Sequence, residues 1–471
     1  MRSVLPRAFA APLLLAAALA LCSTALAAAP SPTPSSALLL GRLFDARSGQ
    51  VVPEGVVVVA DGRIRCAGPV DDCKWGRDAA VHDYGRAMLL PGLIDLHVHA
   101  RPHYIGAFVP AGVTTVRDAN NTLAMLAALR HSAGAPRIVA SGPALDGPAS
   151  VLGDAPSPLG SGPLEELMPI TVAGADDAAA AVRALAQGGA QWIKLYDQLP
   201  PAAMDAAVRS ARDAGLPVMA DLGLMLTRGL DGAQLDALQA ARAGVSTLEH
   251  LSGAALAYRR LGGDPLAATL DEALLDRLAG EIADSGMAVV PTVGNFRQFD
   301  APGSLAIDDL PGAARMRSHF EGYWDYLASG LSSERNAARS AADLRLAGAL
   351  LPRLVAAGVA VGAGSDLPAA PWMLPGPALH QELLALVEAG LSPVQALQSA
   401  THVAADILGR DDLGRLEAGA IADILVVEGD PPTDIRDTRR LRAVWFEGGE
   451  VDLDAAWDGV VDALEAAAAE G

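Results

Sequence analysis

The sequence predicts an α/β protein: a TIM (β/α)8 barrel with a small β-sandwich domain built from both ends of the chain. Three observations carry that prediction. Eight short apolar runs lie between residues 91 and 412, most of them separated by Ala- and Leu-rich stretches such as "DDAAAAVRALAQGG" and "MDAAVRSARDAG". β-rich segments broken by Gly and Asp precede the first of these runs and return after the last. No Gly-x-Gly-x-x-Gly turn follows any run, which counts against a doubly wound open sheet, the competing architecture.

In chain order, Arg2 and Arg7 precede an apolar run from Ala8 to Leu21, followed by small residues. That is the pattern of a secretory signal peptide over residues 1–27, with Ala25-Leu26-Ala27 as the cleavage site. Cys22 raises lipoprotein anchoring, but Leu21 is large for such a site, so an exported chain, periplasmic or secreted, is the expectation. Residues 28–36, including "PSPTPSS", read as a flexible lead-in. Residues 37–90 hold "ALLLGRLFD", "GVVVVADGRIRCAG" and "AVHDYGRAMLLPG", the first part of the sandwich. Residues 91–412 form the barrel, with the runs "LIDLHVHA", "VTTVRDA", "RIVASG", "WIKLY", "PVMADL", "STLEHL", "AVVPTV" and "VAVGAGSD". Residues 413–455 complete the sandwich, and the acidic, Ala-rich residues 456–471 read as a terminal helix. Residues 295–347 are longer than a βα unit needs, and "RSHFEGYWDYL" within them reads either as a surface helix or as a lid. No segment after residue 27 reads as a membrane span.

The formal charge of −20 repels phosphate backbones, so nucleic acid is not an expected partner. Cys66 and Cys73 flank a turn containing "GPVDD" and are expected to form a local disulfide, which export permits, with two free thiols as the alternative. Only two lysines occur among 35 basic residues, Lys74 and Lys194. Arginine stays charged, whereas a lysine amine can be neutralised and react, which singles out Lys194.

Residues i and i+2 of a strand share a face, so His97 and His99 project together with Asp95 at the end of the first run. One histidine there reads as a core residue, but two reverse the odds, since neutral imidazole is a common zinc ligand. Other run ends add Lys194, Asp221, His250 and Asp366, and barrel enzymes gather their functional groups at that face. Singly, Asp366 reads equally as a helix cap and Lys194 as an ion-pair partner. Tyr196, two residues after Lys194, and His103, in the loop after His99, are candidate substrate-binding residues; a packed aromatic is the alternative for Tyr196.

The stretches "PGLIDLHVH", "WIKLY", "AGVSTLEHLSG", "GAGSD", "SPVQALQSATHVAADILG" and "LGRLEAGAIADILVVEGDP" together resemble the amidohydrolase superfamily, in its imidazolonepropionase-related branch of exported hydrolases and dipeptidases. The resemblance spans nearly all of the chain after residue 36. It implies hydrolysis of an amide, peptide or cyclic amide C–N bond in a small-molecule or peptide-like substrate, with one or two divalent ions, zinc foremost and manganese an option. His97, His99 and Asp366 would hold one ion, and a CO2-derived carbamate on Lys194 would bridge to a second held by His250. Asp366 would also move the proton. A homo-oligomer is compatible with this reading. The chain departs from the family pattern at Asp221, where relatives carry histidine. That leaves open a two-metal site with Asp221 as ligand, a one-metal site, or a non-catalytic binding protein on a decayed hydrolase fold. Lactone opening or deamination by the same machinery is the alternative within enzymes.

Overall fold

The computed structural model describes residues 36–150, 169–225, 229–232, 234–331 and 334–470; the expected signal peptide, Cys22 and all of the lead-in except Ser36 lie outside them. Both ends of the chain meet in one sheet. β1 (Ala37–Phe44), β2 (Val51–Ala60), β3 (Arg63–Pro69) and β4 (Ala80–Pro91) come from the first segment. The strands Ile424–Val427, Leu441–Phe446 and Gly449–Glu450 come from the last and pair on β4 through Ile424↔Pro91 to Val427↔Met88. This sheet has seven strands. Valine-rich alternation gives it two apolar faces: Leu39, Val57 and Val59 look one way, and Leu38, Val56 and Val58 the other. Its far edge, β3, curls round to residues 419–421, where Ile64 N–H donates to Ala420 C=O at 2.9 Å and Arg63 bridges Ile421. A disulfide joins Cys66 to Cys73, which packs with Leu38, Val56 and Val58.

The middle of the chain is α/β, with its parallel strands divided between two sheets. One contains β5 (Leu93–Val98), β6 (Val113–Asp118) and β7 (Arg137–Ala140). The other contains β8 (Leu145–Asp146), β9 (Ile170–Thr171), β10 (Ile193–Leu195), β11 (Val218–Ala220), β12 (Thr247–Glu249) and β13 (Ala288–Val290). Every residue of β10 to β13 is buried, as strands covered on both faces require. Helices supply the cover: helix Ala175–Gln187 turns Ala178, Ala181, Val182 and Leu185 inward.

The run at 359–366 differs from expectation. It is no strand of either sheet and joins them through isolated bridges, Val98↔Leu367 and Val289↔Val361, with Leu96 N–H donating to Ala363 C=O at 2.9 Å. Its glycines explain this, because a Cβ on Gly362 would overlap Leu96 and one on Gly364 would lie 2.9 Å from His97 Cβ. Close approach replaces a regular ladder. At the other seam, Gln191 N–H donates to Ala140 C=O at 2.8 Å.

Within residues 295–347 lie most of helix Val293–Asp300, helix Ala313–Leu331 and the first part of helix Glu334–Ala356. The aromatic stripe of the second is packed inward. Phe320, Tyr323 and Trp324 are buried, Tyr323 donates to Pro368 C=O at 2.8 Å, and Trp324 stacks on Trp372 with ring centroids 6.2 Å apart. The terminal helix, Leu453–Glu470, buries Trp457, Val460 and Leu464. Among the described residues no helix is long and apolar enough to cross a membrane.

Candidate metal centre

His97 is delivered by β5, and His99 follows one residue past its end. Asp95, on the same strand face, accepts from His97 N–H at 3.2 Å and from Ser365 N–H at 2.9 Å, stitching the first run to the eighth. Burial pushes its carboxyl up to about 7. His250 and Asp366 stand in left-handed backbone, with φ of 62° and 56°, as does Thr292 at 50°. Such conformations are uncommon for residues with a Cβ and collect where surrounding structure enforces a functional geometry.

These elements bring one nitrogen of His97, one of His250 and one oxygen of Asp366 within 4.8 Å of one another. Asp366 Oδ1 is 3.5 Å from His97 Nε2 and 3.2 Å from His99 Nε2. His250 Nε2 is 3.5 Å from Asp221 Oδ2, so Asp221 lies beside His250 at this centre. Lys194 is buried on β10, with Nζ 5.9 Å from the centroid of the half-buried Tyr196 ring. His103 lies apart from these contacts. It lines a separate cavity of about 360 Å³ with Ile105, Val109 and Val460 of the terminal helix, and its ring packs edge-on to Tyr104.

Sequence reasoning missed the layer that orients these groups. Glu249 Oε2 accepts from His97 Nδ1 at 2.6 Å, which leaves Nε2 as the lone-pair nitrogen facing Asp366. Glu249 is held by the Arg117 guanidinium at 2.8 and 3.0 Å and by the Thr247 hydroxyl. Arg117 also donates to Leu96 C=O at 2.7 Å and lies 4.5 Å above the Trp192 ring. Both charges are fully buried, which is costly unless every lone pair and proton is used, and this network is closely saturated. On the other side, Thr292 Oγ1 is 2.7 Å from His250 Nδ1, and the Asn295 amide donates to Asp366 Oδ2. Both belong to the start of helix Val293–Asp300, where buried Glu382 accepts from Gly294 N–H at 2.6 Å. A signal for Glu249 and Arg117 existed, since each is a charge inside an otherwise apolar run; Thr292 and Asn295 had none.

Burial, and then the charges of Lys194, His250, His99 and Arg117, hold the His97 imidazole well below its ordinary range, and so neutral. Burial also pushes Asp366 up, but His250, His99 and Lys194 outweigh it and keep the carboxylate ionised. The Tyr196 hydroxyl is pushed well up by burial and by the nearby carboxylates of Asp221, Asp197 and Asp366. The neutral His97 imidazole, with its orientation fixed by Glu249, and the ring nitrogen of His250 beside the ionised Asp366 carboxylate form a donor set that fits a divalent cation such as zinc.

Solved structures share this fold at low identity. The chain is 21% identical to a Xaa-Pro dipeptidase with bound methionine in the active site (88% of this chain, 100% of that one, TM-score 0.62). It is 20% identical to the ochratoxinase of A. niger (88% and 95%, TM-score 0.65) and 24% identical to the bottromycin amidohydrolase (92% and 91%, TM-score 0.63). No curated protein matches it in sequence. Residues 88–453 match the amidohydrolase family, and with most of its length inside that match and its buried histidines and carboxylate converging at one end of the parallel strands, the chain belongs to that family.

Proposed function

We propose that the protein is a metal-dependent hydrolase of amide or peptide C–N bonds, with its eight runs forming one barrel around the centre and the seven-stranded sheet serving as the accessory sandwich. The observation that carries the reading is the meeting of His97, His250 and Asp366, with the His97 tautomer set by Glu249. Its structural neighbours, a Xaa-Pro dipeptidase and the bottromycin amidohydrolase among them, support the bond type. His97, His99 and Asp366 would hold one divalent ion, and His250, Asp221 and a carbamate on Lys194 a second. Such ions supply Lewis acidity, acidifying water and polarising a carbonyl oxygen.

The chain's own residues move the proton. Asp366 is ionised, with Oδ1 turned toward the imidazoles and Oδ2 restrained by Asn295, so it is placed to take a proton from the attacking water and return it to the leaving nitrogen. The arrangement offers nothing specific to lactone opening, deamination or a non-catalytic role. Export from the cytoplasm belongs to the same proposal, supported by the N-terminal pattern and by a disulfide of the kind oxidising compartments preserve.

Lys194→Arg tests the reading. It keeps the charge but cannot form the carbamate, so it should lose hydrolysis of N-acyl amino acids and dipeptides and bind less metal per chain by elemental analysis. Wild-type turnover in Lys194→Arg would leave the lysine a structural role only.

A further inference from the structure

Four residues past His99, His103 leaves the metal centre and joins the wall of the separate cavity of about 360 Å³. One side of that cavity is the loop after β5 and the two turns that follow it, with Ile105, Val109 and Pro110. The other side is the terminal helix Leu453–Glu470, whose Ala456, Gly459, Val460 and Ala463 recur at i, i+3, i+4 and i+7 and so share one face. No Asp, Glu, Lys or Arg lines the cavity among the described residues; its polar side chains are His103 and Ser132.

The helix side is kept small. At Gly459 an added Cβ would meet nothing within 4 Å. Glycine weakens a helix interior relative to alanine, and no neighbour excludes alanine here, so what Gly459 contributes is space. Ala455 and Gly459 are exposed, which opens the cavity to solvent alongside the helix. His103 is the opposite case: it is nine-tenths buried, and its Nε2 has no hydrogen-bond partner among the described residues. Burial, and then the charge of Arg101, hold its imidazole down to about 4, so the ring is neutral and carries one N–H and one lone pair. Buried polar groups are nearly always paired, because an unpaired one has given up its hydrogen bond to water for nothing. A molecule in the cavity is placed to supply the partner, since the ring needs only to turn about Cβ–Cγ, a soft torsion.

We propose that this cavity is a binding site, apart from the metal centre, for a small neutral molecule with an apolar body and a hydroxyl group, a phenol or an alcohol, that hydrogen-bonds to His103. The ligand is neutral because no charged side chain lines the walls, and apolar because most of the lining is. A hydroxyl suits a neutral imidazole because it both donates and accepts. A dry apolar cavity of about 150 Å³ takes one benzene ring, so the larger space here admits a substituted ring. The assignment does not depend on the hydrolase reading, because no residue it uses belongs to the metal centre.

The test is calorimetric titration of the zinc-loaded protein with 4-ethylphenol and with ethylbenzene, which has the same body and no hydroxyl. Wild type should bind 4-ethylphenol about 10-fold more tightly, the difference that one buried hydrogen bond makes. His103→Leu should weaken 4-ethylphenol and bring the two affinities together; this ratio is read within each protein, so a general loss of stability cancels from it. Gly459→Leu suits the helix better than glycine and puts a branched side chain into the open space, so it should weaken both probes about 10-fold or more. Removing zinc with a chelator should change neither affinity. Failure of wild type to bind 4-ethylphenol, equal affinity for the two probes, or a preference retained in His103→Leu overturns the proposal. So does undiminished binding in Gly459→Leu, or binding that is lost with the zinc, since either places the probe elsewhere.

Discussion

Replacing Glu249 separates two things its carboxylate does at once. It neutralises Arg117 in a fully buried pair, and it fixes His97 through Nδ1 at 2.6 Å. Glu249→Leu removes both roles, leaving a guanidinium with no counterion in the interior, and breaking a buried pair in that way costs about 3–5 kcal/mol. The ligand loses its orienting partner as well, which lowers metal affinity by about 10- to 100-fold. The double variant Arg117→Met/Glu249→Leu removes both charges, and hydrophobic replacement of a whole buried pair is often neutral or better. Urea unfolding of metal-free protein should therefore show a large loss in the single variant and recovery of most of it in the double. Zinc affinity, read by competition with a chromophoric chelator, should stay low in both. Wild-type zinc affinity in the double variant would refute the claim that Glu249 positions His97. A single variant as stable as wild type would refute the buried pair.

Asp221→Ala should lower the metal count while leaving the ion held by His97, His99 and Asp366, and Asp221→His should restore it; a count unchanged in Asp221→Ala, with full activity, means that Asp221 holds no metal. Burial, with Asp95 and Asp366 nearby, pushes the Glu382 carboxyl up to about 8 from 4.5. The folded state then binds this proton more tightly than the unfolded one, so the group's contribution is fully present below about pH 4.5 and is lost as pH rises to about 8. In metal-free protein, Glu382→Gln should flatten the fall in stability across that window, and an unchanged slope counts against it. Cys66 and Cys73 should give no free thiol in unreduced, denatured chain starting at residue 28, and the Cys66→Ser/Cys73→Ser variant should lose about 2 kcal/mol, as closing so short a loop predicts.

The ligand candidates were legible because strand periodicity and barrel topology are local rules. A His-x-His at a strand end puts both rings on one face, and apolar runs that alternate with helices put the other strand ends nearby. The pairing of the two chain ends in one sheet was legible for the same reason, from matching β texture. What the sequence left open depended on long-range packing. Nothing local says that the eighth run, with Gly362 and Gly364 pressed against Leu96 and His97, joins its neighbours by single bridges rather than a ladder. His103 and His99 are four residues apart, yet the 105–111 turns and the terminal helix draw one ring into a separate cavity. Arg117 and Glu249 each place a charge inside an apolar run, but only folding brings them together, 132 residues apart, on the far nitrogen of His97. Residue types at strand ends determined which groups could bind metal; the tertiary structure decided which nitrogen each presents, because a hydrogen bond from a distant segment sets that choice.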